Sequence, residues 1–267
     1  MKPVQLHGSP PYTVAVLHGG PGGCGEVEPV ARELALTRGV LEPMGQALSV
    51  EGQIQELRGL LEAHADLPVT LVGFSWGAWL AWMTAARFPS RIAKLVLVAG
   101  APFEASYASR ISQTRLSRLS PDERAEFAAL TEAMERSGTA EADAAFARFA
   151  ALLTKADAFA PLPEAGASIT PCLEVFHHVW PQAAALRQSG ELLAIARDIT
   201  CPVTAIHGDY DPHPAEGVNQ PLSHMLHDFQ FILLKRCGHR PWIEQHARDA
   251  FFQSLQTVLS TKIPNIS

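Results

Sequence analysis

A serine between two glycines is the residue of this chain best placed to act as a nucleophile. Ser75 lies in the sequence Gly-Phe-Ser-Trp-Gly at 73–77, which begins inside the apolar run at 69–74. A serine hydroxyl is a weak nucleophile unless a base accepts its proton and the backbone presents it to a substrate. Glycines on both sides allow a strand to turn sharply into a helix around a strained serine. The pattern indicates nucleophilic catalysis at Ser75.

Residues suited to assist this serine follow later in the chain. The apolar run at 203–206 leads into His-Gly-Asp-Tyr-Asp-Pro, so Asp209 and Asp211 come just after a predicted strand. The run at 231–234 leads into Lys-Arg-Cys-Gly-His, which places His239 in the next loop. An activated serine needs a base, and the base needs an acid to orient it. The chain therefore supplies a serine, an acid and a histidine in that order.

The elements that must position these residues alternate between buried strands and helices. Continuous runs of Val, Leu and Ile separated by helices indicate parallel strands that are covered on both faces. We therefore predict an α/β fold, a three-layer sandwich with a mostly parallel central sheet. Ligands of such folds bind at the carboxyl ends of the strands, where the serine is expected. The predicted strands are 14–18, 40–44, 69–74, 95–98, 203–206 and 231–234, and the helices among them are near 30–37 and at 50–65.

The middle of the chain interrupts this alternation. Between 102 and 199 there is no convincing strand, and helical periodicity is present at 121–137 and 141–154. A helical insertion over the carboxyl edge of the sheet would lie above the serine and exclude water from it. We predict a core in two parts, 1–101 and 200–267, with a helical cap at 102–199.

Composition excludes several kinds of partner. The 267 residues include 21 basic and 27 acidic side chains, a net charge of −6, without an obvious basic run. Neither nucleic acid nor an anionic membrane is favoured, and we predict a small-molecule substrate. The first residues lack the apolar segment of a signal peptide and no run is long enough to span a membrane, so a cytoplasmic protein is expected. The sequence leaves the oligomeric state open.

The sequence predicts no cofactor and no metal. It contains no Gly-x-Gly-x-x-Gly or P-loop pattern, and its remaining histidines are irregularly spaced without a His-Glu-x-x-His motif. The cysteines are also widely scattered and form no Cys-x-x-Cys pair, which favours reduced thiols with a structural role. They are Cys24, Cys172, Cys201 and Cys237.

Taken together, the motifs resemble those of α/β-hydrolases that carry a helical cap between the sixth and seventh core strands. The resemblance covers nearly the whole chain and depends on the joint order of four motifs. These are His-Gly-Gly-Pro-Gly at 18–22, the serine motif at 73–77, Gly208 with Asp211, and Gly238 with His239.

The resemblance implies a role for each of these residues. Ser75 would attack the substrate, His239 would act as base and then as acid, and Asp211 would orient the imidazole. The family usually places its acid three residues after the glycine, so Asp209 is expected to cap the turn instead. Some relatives carry the acid near the position of Glu104, which remains an alternative.

The resemblance also implies an oxyanion hole, and the aromatic residues near the site indicate an apolar pocket. The backbone N–H groups of Trp76 and Gly20 would stabilise the tetrahedral oxyanion, and His18 would brace the loop that carries Gly20. Aromatic residues are expected to line the substrate pocket. The candidates are Phe103, Phe176, Trp180 and Trp242.

The substrate class is the least constrained part of the prediction. The 18–22 motif and a Trp after the serine are also similar to proline iminopeptidases, but their Asp-x-Arg-Gly-x-Gly segment is replaced by Leu-Glu-Pro-Met-Gly-Gln at 41–46. We therefore favour a carboxylic ester or thioester with a small-to-medium apolar group, cleaved through an acyl-enzyme on Ser75. The alternatives are a proline iminopeptidase-like aminopeptidase, a C–C bond hydrolase, an acyltransferase and a non-catalytic binding protein.

Overall fold

The computed structural model of the protein describes residues 2–135, 140–163 and 170–261. The apolar runs contribute to a seven-stranded sheet, and two short segments form a separate two-stranded sheet. The strands in chain order are β1 (Val4–His7), β2 (Tyr12–Leu17), β3 (Gly23–Cys24), β4 (Gly39–Pro43), β5 (Val69–Phe74), β6 (Ile92–Val98), β7 (Thr170–Pro171), β8 (Val203–Gly208) and β9 (Phe229–Leu234).

The large sheet has the order β1-β4-β2-β5-β6-β8-β9. All its neighbouring strands are parallel except β1, which pairs antiparallel with β4 at the edge. The prediction of a mostly parallel sheet is confirmed. The sequence analysis missed β1, whose run of Val-Gln-Leu-His is short and only half apolar.

Helices cover both faces of the sheet, which confirms the three-layer sandwich. One apolar core lies between the sheet and α2, α3 and α9, and a second lies between the sheet and α1 and α10. The helices are α1 (Glu28–Leu34), α2 (Val50–His64), α3 (Trp76–Arg87), α4 (Ala105–Ser117), α5 (Pro121–Met134), α6 (Ala140–Asp157), α7 (Leu173–Ser189), α8 (Glu191–Ala194), α9 (Glu216–Met225) and α10 (Arg248–Ser260). No helix in the described part of the chain is both long and apolar enough to cross a membrane.

The segment between β6 and β8 is mainly helical, with α4 to α8 in succession. Ser120 and Glu123 form a capping box that starts α5, as a Ser-x-x-Glu sequence favours. The predicted helix at 121–137 ends at Met134, and its last two predicted positions lie outside the described residues. The expectation of no strand in this segment is wrong, because β7 pairs antiparallel with β3 over two residues.

A buried carboxylate joins this helical segment to the end of the core sheet. The Glu244 side chain is 0% exposed and accepts hydrogen bonds from three backbone N–H groups. The donors are Phe159 (2.8 Å) and Ala160 (2.7 Å), just after α6, and Gly238 (3.0 Å), in the loop after β9. The nearby N–H of His239 also donates to the carbonyl of Asp157 at 2.9 Å. The loop that carries His239 is therefore fixed to the end of α6.

Replacing this carboxylate tests whether it is required for stability. Glu244→Ala should lower the free energy of unfolding by about 3 kcal/mol or more, since each buried N–H left without an acceptor costs about 1–3 kcal/mol. Urea unfolding followed by circular dichroism measures the change. Glu33→Ala is the matched control, because Glu33 forms only a surface ion pair with Arg248 and its loss should cost less than about 1 kcal/mol. Equal losses in the two variants would contradict the structural role of Glu244.

Candidate active site

Ser75 occupies a strained turn between β5 and α3. Its φ of 52° lies in the left-handed region, which is unfavourable for residues other than glycine. Its N–H donates to the carbonyl of Val98 at 2.9 Å. A β-carbon on Gly73 would lie 2.2 Å from the carbonyl oxygen of Gly77, and one on Gly77 would lie 2.5 Å from the carbonyl oxygen of Leu17. The two glycines of the motif are therefore required by the packing of the turn.

The structure brings Ser75, His239 and Asp211 together at the carboxyl ends of β5, β9 and β8. His239 Nε2 lies 3.1 Å from Ser75 Oγ, and His239 Nδ1 lies 2.7 Å from Asp211 Oδ2. An N–H on Nδ1 that donates to the carboxylate leaves Nε2 free to accept the hydroxyl proton. The arrangement has the geometry of a nucleophile, a base and an orienting acid.

The two alternative acids do not contact this histidine. Asp209 Oδ1 instead accepts a hydrogen bond of 3.3 Å from the N–H of Cys237, so it supports the loop before His239. Glu104 is exposed at the start of α4, where it occupies the N-cap position. Asp211 is therefore the acid with the appropriate contact.

The surroundings of Asp211 keep its carboxylate ionised. Burial alone would raise its pKa, but the neighbouring imidazoles of His239, His213 and His207 hold the pKa well below its usual range. An ionised, fully buried carboxylate can accept the His239 N–H throughout the neutral range and stabilise the imidazolium that forms when Ser75 loses its proton.

A second histidine holds this carboxylate from the other side. His213 donates to Asp211 Oδ1 from its ring Nδ1 at 2.9 Å and from its backbone N–H at 2.8 Å. Burial and the neighbouring His239 lower the pKa of His213 to about 4, so its ring is neutral at neutral pH. His207 Nε2 donates to the carbonyl of His213 at 2.9 Å. The sequence analysis gave neither His207 nor His213 a role, although His213 follows Asp211 at the spacing of an Asx turn.

One cluster in the described part of the chain could also hold a metal ion. Potential ligand atoms of Asp211, His213 and His239 all lie within 4.8 Å of one another. They already hydrogen-bond directly at 2.7 and 2.9 Å. A cation among them would have to replace the hydrogen bonds that orient His239, so the donor set fits a proton-transfer site better than a metal centre.

The proposed oxyanion donors border the same site. Trp76 is the first residue of α3, and the first N–H groups of a helix have no acceptor within it. Gly20 has a φ of 45°, and a β-carbon there would meet no atom within 4 Å, so this position faces open space. Both residues line the cavity that contains Ser75. Their role as oxyanion donors stays a prediction, and their place at the edge of this cavity is compatible with it.

His18 fixes the loop that carries Gly20. Its Nδ1 lies 2.9 Å from the carbonyl oxygen of Gly19, and its Nε2 lies 2.9 Å from that of Met44. Burial alone would lower the pKa of His18, but the Cys24 thiol and these two carbonyl groups raise it to about 9. An imidazolium donates from both ring nitrogens, as these two contacts require. The contacts agree with the expectation that His18 braces this loop.

Cys237 lies two residues before His239 but is not a nucleophile of the site. Its side chain is fully buried, and this burial raises the pKa of its thiol, so the reactive thiolate is disfavoured. All four cysteines of the chain are free, in agreement with the prediction of reduced thiols.

Ser75 opens into a cavity of about 470 Å³. Its floor is formed by the loop at 19–23 and by the serine motif, and its roof by side chains of α4, α6 and α7. Most of the roof is apolar. The apolar roof residues are Ala108, Ile111, Phe146, Phe149, Ala150, Leu153, Phe176 and Trp180.

Only two of the four predicted pocket aromatics border this cavity. Phe176 and Trp180 lie in its wall. Phe103 is 1% exposed and packs in the core against Trp82, with ring centroids 5.2 Å apart. Trp242 packs edge-on behind the site against Phe74, with centroids 4.7 Å apart. The predictions for Phe103 and Trp242 are wrong because both side chains are used to fill the core.

Known proteins with similar sequences and structures include several hydrolases. A pimeloyl-[acyl-carrier protein] methyl ester esterase from Chromobacterium violaceum is 28% identical over 208 residues, which cover 76% of this chain and 74% of that protein. The crystal structure of VinJ superposes with a TM-score of 0.66 at 18% identity, over 97% of this chain and 95% of VinJ. A thermophilic esterase from Thermogutta terrifontis gives a TM-score of 0.64 at 17% identity, over 96% and 92% of the two chains.

A family profile covers most of the chain. Residues 14–253 match the profile described as "Alpha/beta hydrolase family", a span that runs from β2 to α10 and contains every residue of the candidate site. The esterase relative supports a hydrolase activity for this chain. The chain belongs to the alpha/beta hydrolase family.

Proposed function

We propose that the protein is a serine hydrolase that cleaves carboxylic esters or thioesters through an acyl-enzyme on Ser75. The observation that carries this proposal is the continuous contact from Ser75 Oγ through the imidazole of His239 to the buried carboxylate of Asp211. The serine of this relay opens into a cavity of about 470 Å³, large enough for a small-to-medium substrate.

The geometry supports a two-stage reaction. Ser75 Oγ attacks the carbonyl carbon while its proton passes to His239 Nε2, and the N–H groups of Trp76 and Gly20 stabilise the oxyanion. Collapse of the intermediate breaks the bond to the leaving alcohol or thiol, which takes the proton from His239. Water then gives a proton to His239 and attacks the acyl carbon. The acid product leaves and Ser75 regains its proton.

The helical segment above the cavity is proposed to act as a lid. Side chains from α4, α6 and α7 form the roof over Ser75, and the end of α6 is fixed to the loop that carries His239. A largely apolar roof excludes water from the acyl group and strengthens the electrostatic interactions of the site. This arrangement is the basis for assigning 102–199 as a cap on a core formed by 1–101 and 200–267.

The charges of the cavity favour an ester over the N-terminal amine of a peptide. Among the described residues, two carboxylates border the cavity, Glu26 and Asp157. Glu26 pairs with Arg240 at 2.5 Å, and Asp157 pairs with Arg115 at 2.6 Å. Both carboxylates are already paired with an arginine, which makes them poor partners for the substrate amine that an iminopeptidase-like reaction would require. The similarity to a methyl ester esterase also favours an ester substrate.

Covalent labelling tests the proposed nucleophile. A fluorophosphonate should add one phosphonyl group to the protein, because an activated serine attacks such probes, and intact mass spectrometry measures the adduct. Ser75→Ala should remain unlabelled. An unmodified wild-type protein, or equal labelling of Ser75→Ala, would exclude Ser75 as the nucleophile.

Two asparagine substitutions test the identity of the acid. Asp211→Asn should lower kcat for a p-nitrophenyl ester by about 10³- to 10⁴-fold, since an amide stabilises the wrong imidazole tautomer and does not stabilise the imidazolium. Asp209→Asn keeps an oxygen for the Cys237 N–H and should change kcat by less than about tenfold. Steady-state kinetics compares the two variants. A larger loss in Asp209→Asn would reassign the acid.

The low pKa of His213 predicts a pH-dependent stability. Between about pH 4 and 6.5 the unfolded chain binds a proton at His213 that the folded chain does not, so stability falls as the pH falls through this window. His213→Asn keeps an N–H donor but does not titrate. It should therefore reduce the loss of stability between pH 6.5 and 4 by about 1–3 kcal/mol.

Urea unfolding at pH 4, 5 and 6.5 measures this dependence. His224→Asn serves as the control, because His224 is exposed and its substitution should leave the pH dependence as in the wild type. Parallel pH profiles for wild type and His213→Asn would contradict the neutral, buried state of His213.

A further inference from the structure

The arginines of the cavity differ in how their charges are satisfied. Arg115 donates two hydrogen bonds to Asp157, at 2.8 and 2.6 Å, and Arg240 pairs with Glu26 at 2.5 Å. Arg187, on α7, also borders the cavity, but it has no carboxylate partner among the described residues. Its Nε is buried and has no hydrogen-bond partner. The positive charge of Arg187 is therefore not neutralised by a carboxylate of the described residues.

Aromatic packing holds Arg187 in this position. The guanidinium lies over the ring of Trp79, 5.4 Å from its centroid. Trp79 in turn stacks with Trp180, with ring centroids 6.0 Å apart and planes at 4°. A cation over an aromatic ring is attracted by it, but this contact leaves the N–H donors of the guanidinium unused. The contacts therefore orient Arg187 without neutralising its charge.

The position of Trp79 relates this charge to the proposed nucleophile. Trp79 follows Ser75 by four residues, which corresponds to a rise of about 6 Å along α3. Trp180 and Phe176 precede Arg187 on α7 and line the same cavity. An acyl chain bound to Ser75 would therefore meet apolar side chains and, within the same enclosed space, a guanidinium.

Burial of the guanidinium makes an anionic ligand favourable. Partial burial lowers the pKa of Arg187, yet an arginine side chain stays protonated at any physiological pH. A charge in this setting lacks part of its hydration and gains most from a charge-assisted hydrogen bond. The planar fork of a guanidinium matches a carboxylate, which can accept two parallel N–H bonds.

We propose that Arg187 forms a carboxylate subsite, and that the substrate is an ester or thioester whose acyl group carries a second, free carboxylate. This inference rests on the proposed hydrolase function and narrows its substrate class to monoesters or monothioesters of dicarboxylic acids. The apolar part of the acyl chain packs against Phe176 and Trp180, and its terminal carboxylate pairs with the guanidinium of Arg187. Hydrolysis at Ser75 then releases a dicarboxylic acid and an alcohol or thiol.

Matched esters test the subsite. The mono-p-nitrophenyl ester of adipic acid carries a free carboxylate, and the corresponding ester of adipic acid monoamide has nearly the same shape without the charge. The wild type should cleave the anionic ester with the higher kcat/KM. Arg187→Met should lower the ratio of the two kcat/KM values by about 10- to 100-fold, mainly through KM, because a buried charge pair of this kind is lost. Arg187→Lys should restore part of the ratio.

A surface arginine provides the control. The side chain of Arg197 is 77% exposed and lies 3.7 Å from Asp198 outside the cavity lining, so Arg197→Met should leave the ratio as in the wild type. The proposal is overturned if the wild type prefers the neutral ester, or if Arg187→Met changes the ratio by less than about twofold.

A binding measurement separates failure of the subsite from failure of the hydrolase function. Isothermal titration of adipate into Ser75→Ala should show binding that the double variant Ser75→Ala, Arg187→Met loses. If the wild type is not labelled by a fluorophosphonate but Ser75→Ala binds adipate through Arg187, the hydrolase function is excluded and the carboxylate subsite is supported. If the wild type is labelled but Ser75→Ala does not bind adipate, the hydrolase function is supported and the carboxylate subsite is excluded.

Discussion

The close approach of three backbone segments at the serine motif is the constraint on which the site depends. Gly73 at the end of β5, Gly77 in the first turn of α3, and the carbonyl groups of Leu17 and His18 at the end of β2 pack without room for a β-carbon. This contact forces Ser75 into its left-handed conformation. It also places the loop after β2, with its proposed oxyanion donor, beside the serine. One packing arrangement therefore sets the positions of both the nucleophile and the proposed oxyanion hole.

Patterns that are local in sequence predicted the fold, and they identified Ser75, Asp211 and His239, which the structure brings into contact. Apolar runs predicted the parallel strands, and the glycine spacing around Ser75 predicted the turn, because both leave a pattern among neighbouring residues. Features that depend on distant contacts were not predictable. The carboxylate of Glu244 is buried only because two segments far apart in sequence converge on it. Whether an aromatic side chain faces a cavity or the core is likewise decided by tertiary packing, as Phe103 shows.

The charges of the site form two separate systems. Below Ser75, imidazoles surround one buried carboxylate, and this arrangement keeps Asp211 ionised and His213 neutral. Above Ser75, Arg115 pairs with Asp157, whereas Arg187 borders the cavity and has no carboxylate partner among the described residues. The first system orients the imidazole of His239, whereas the second is proposed to select the group that enters the cavity. In this proposal, reaction type and substrate choice depend on different residues on different elements.

The link through Glu244 has a consequence for motion above the site. The Glu244 carboxylate accepts hydrogen bonds from the backbone after α6 and from the backbone beside His239. It therefore holds this corner of the roof against the loop that carries His239. Lifting it would also displace the imidazole from the serine. The end of α6 and the imidazole of His239 are therefore coupled, and a shift of one requires a shift of the other.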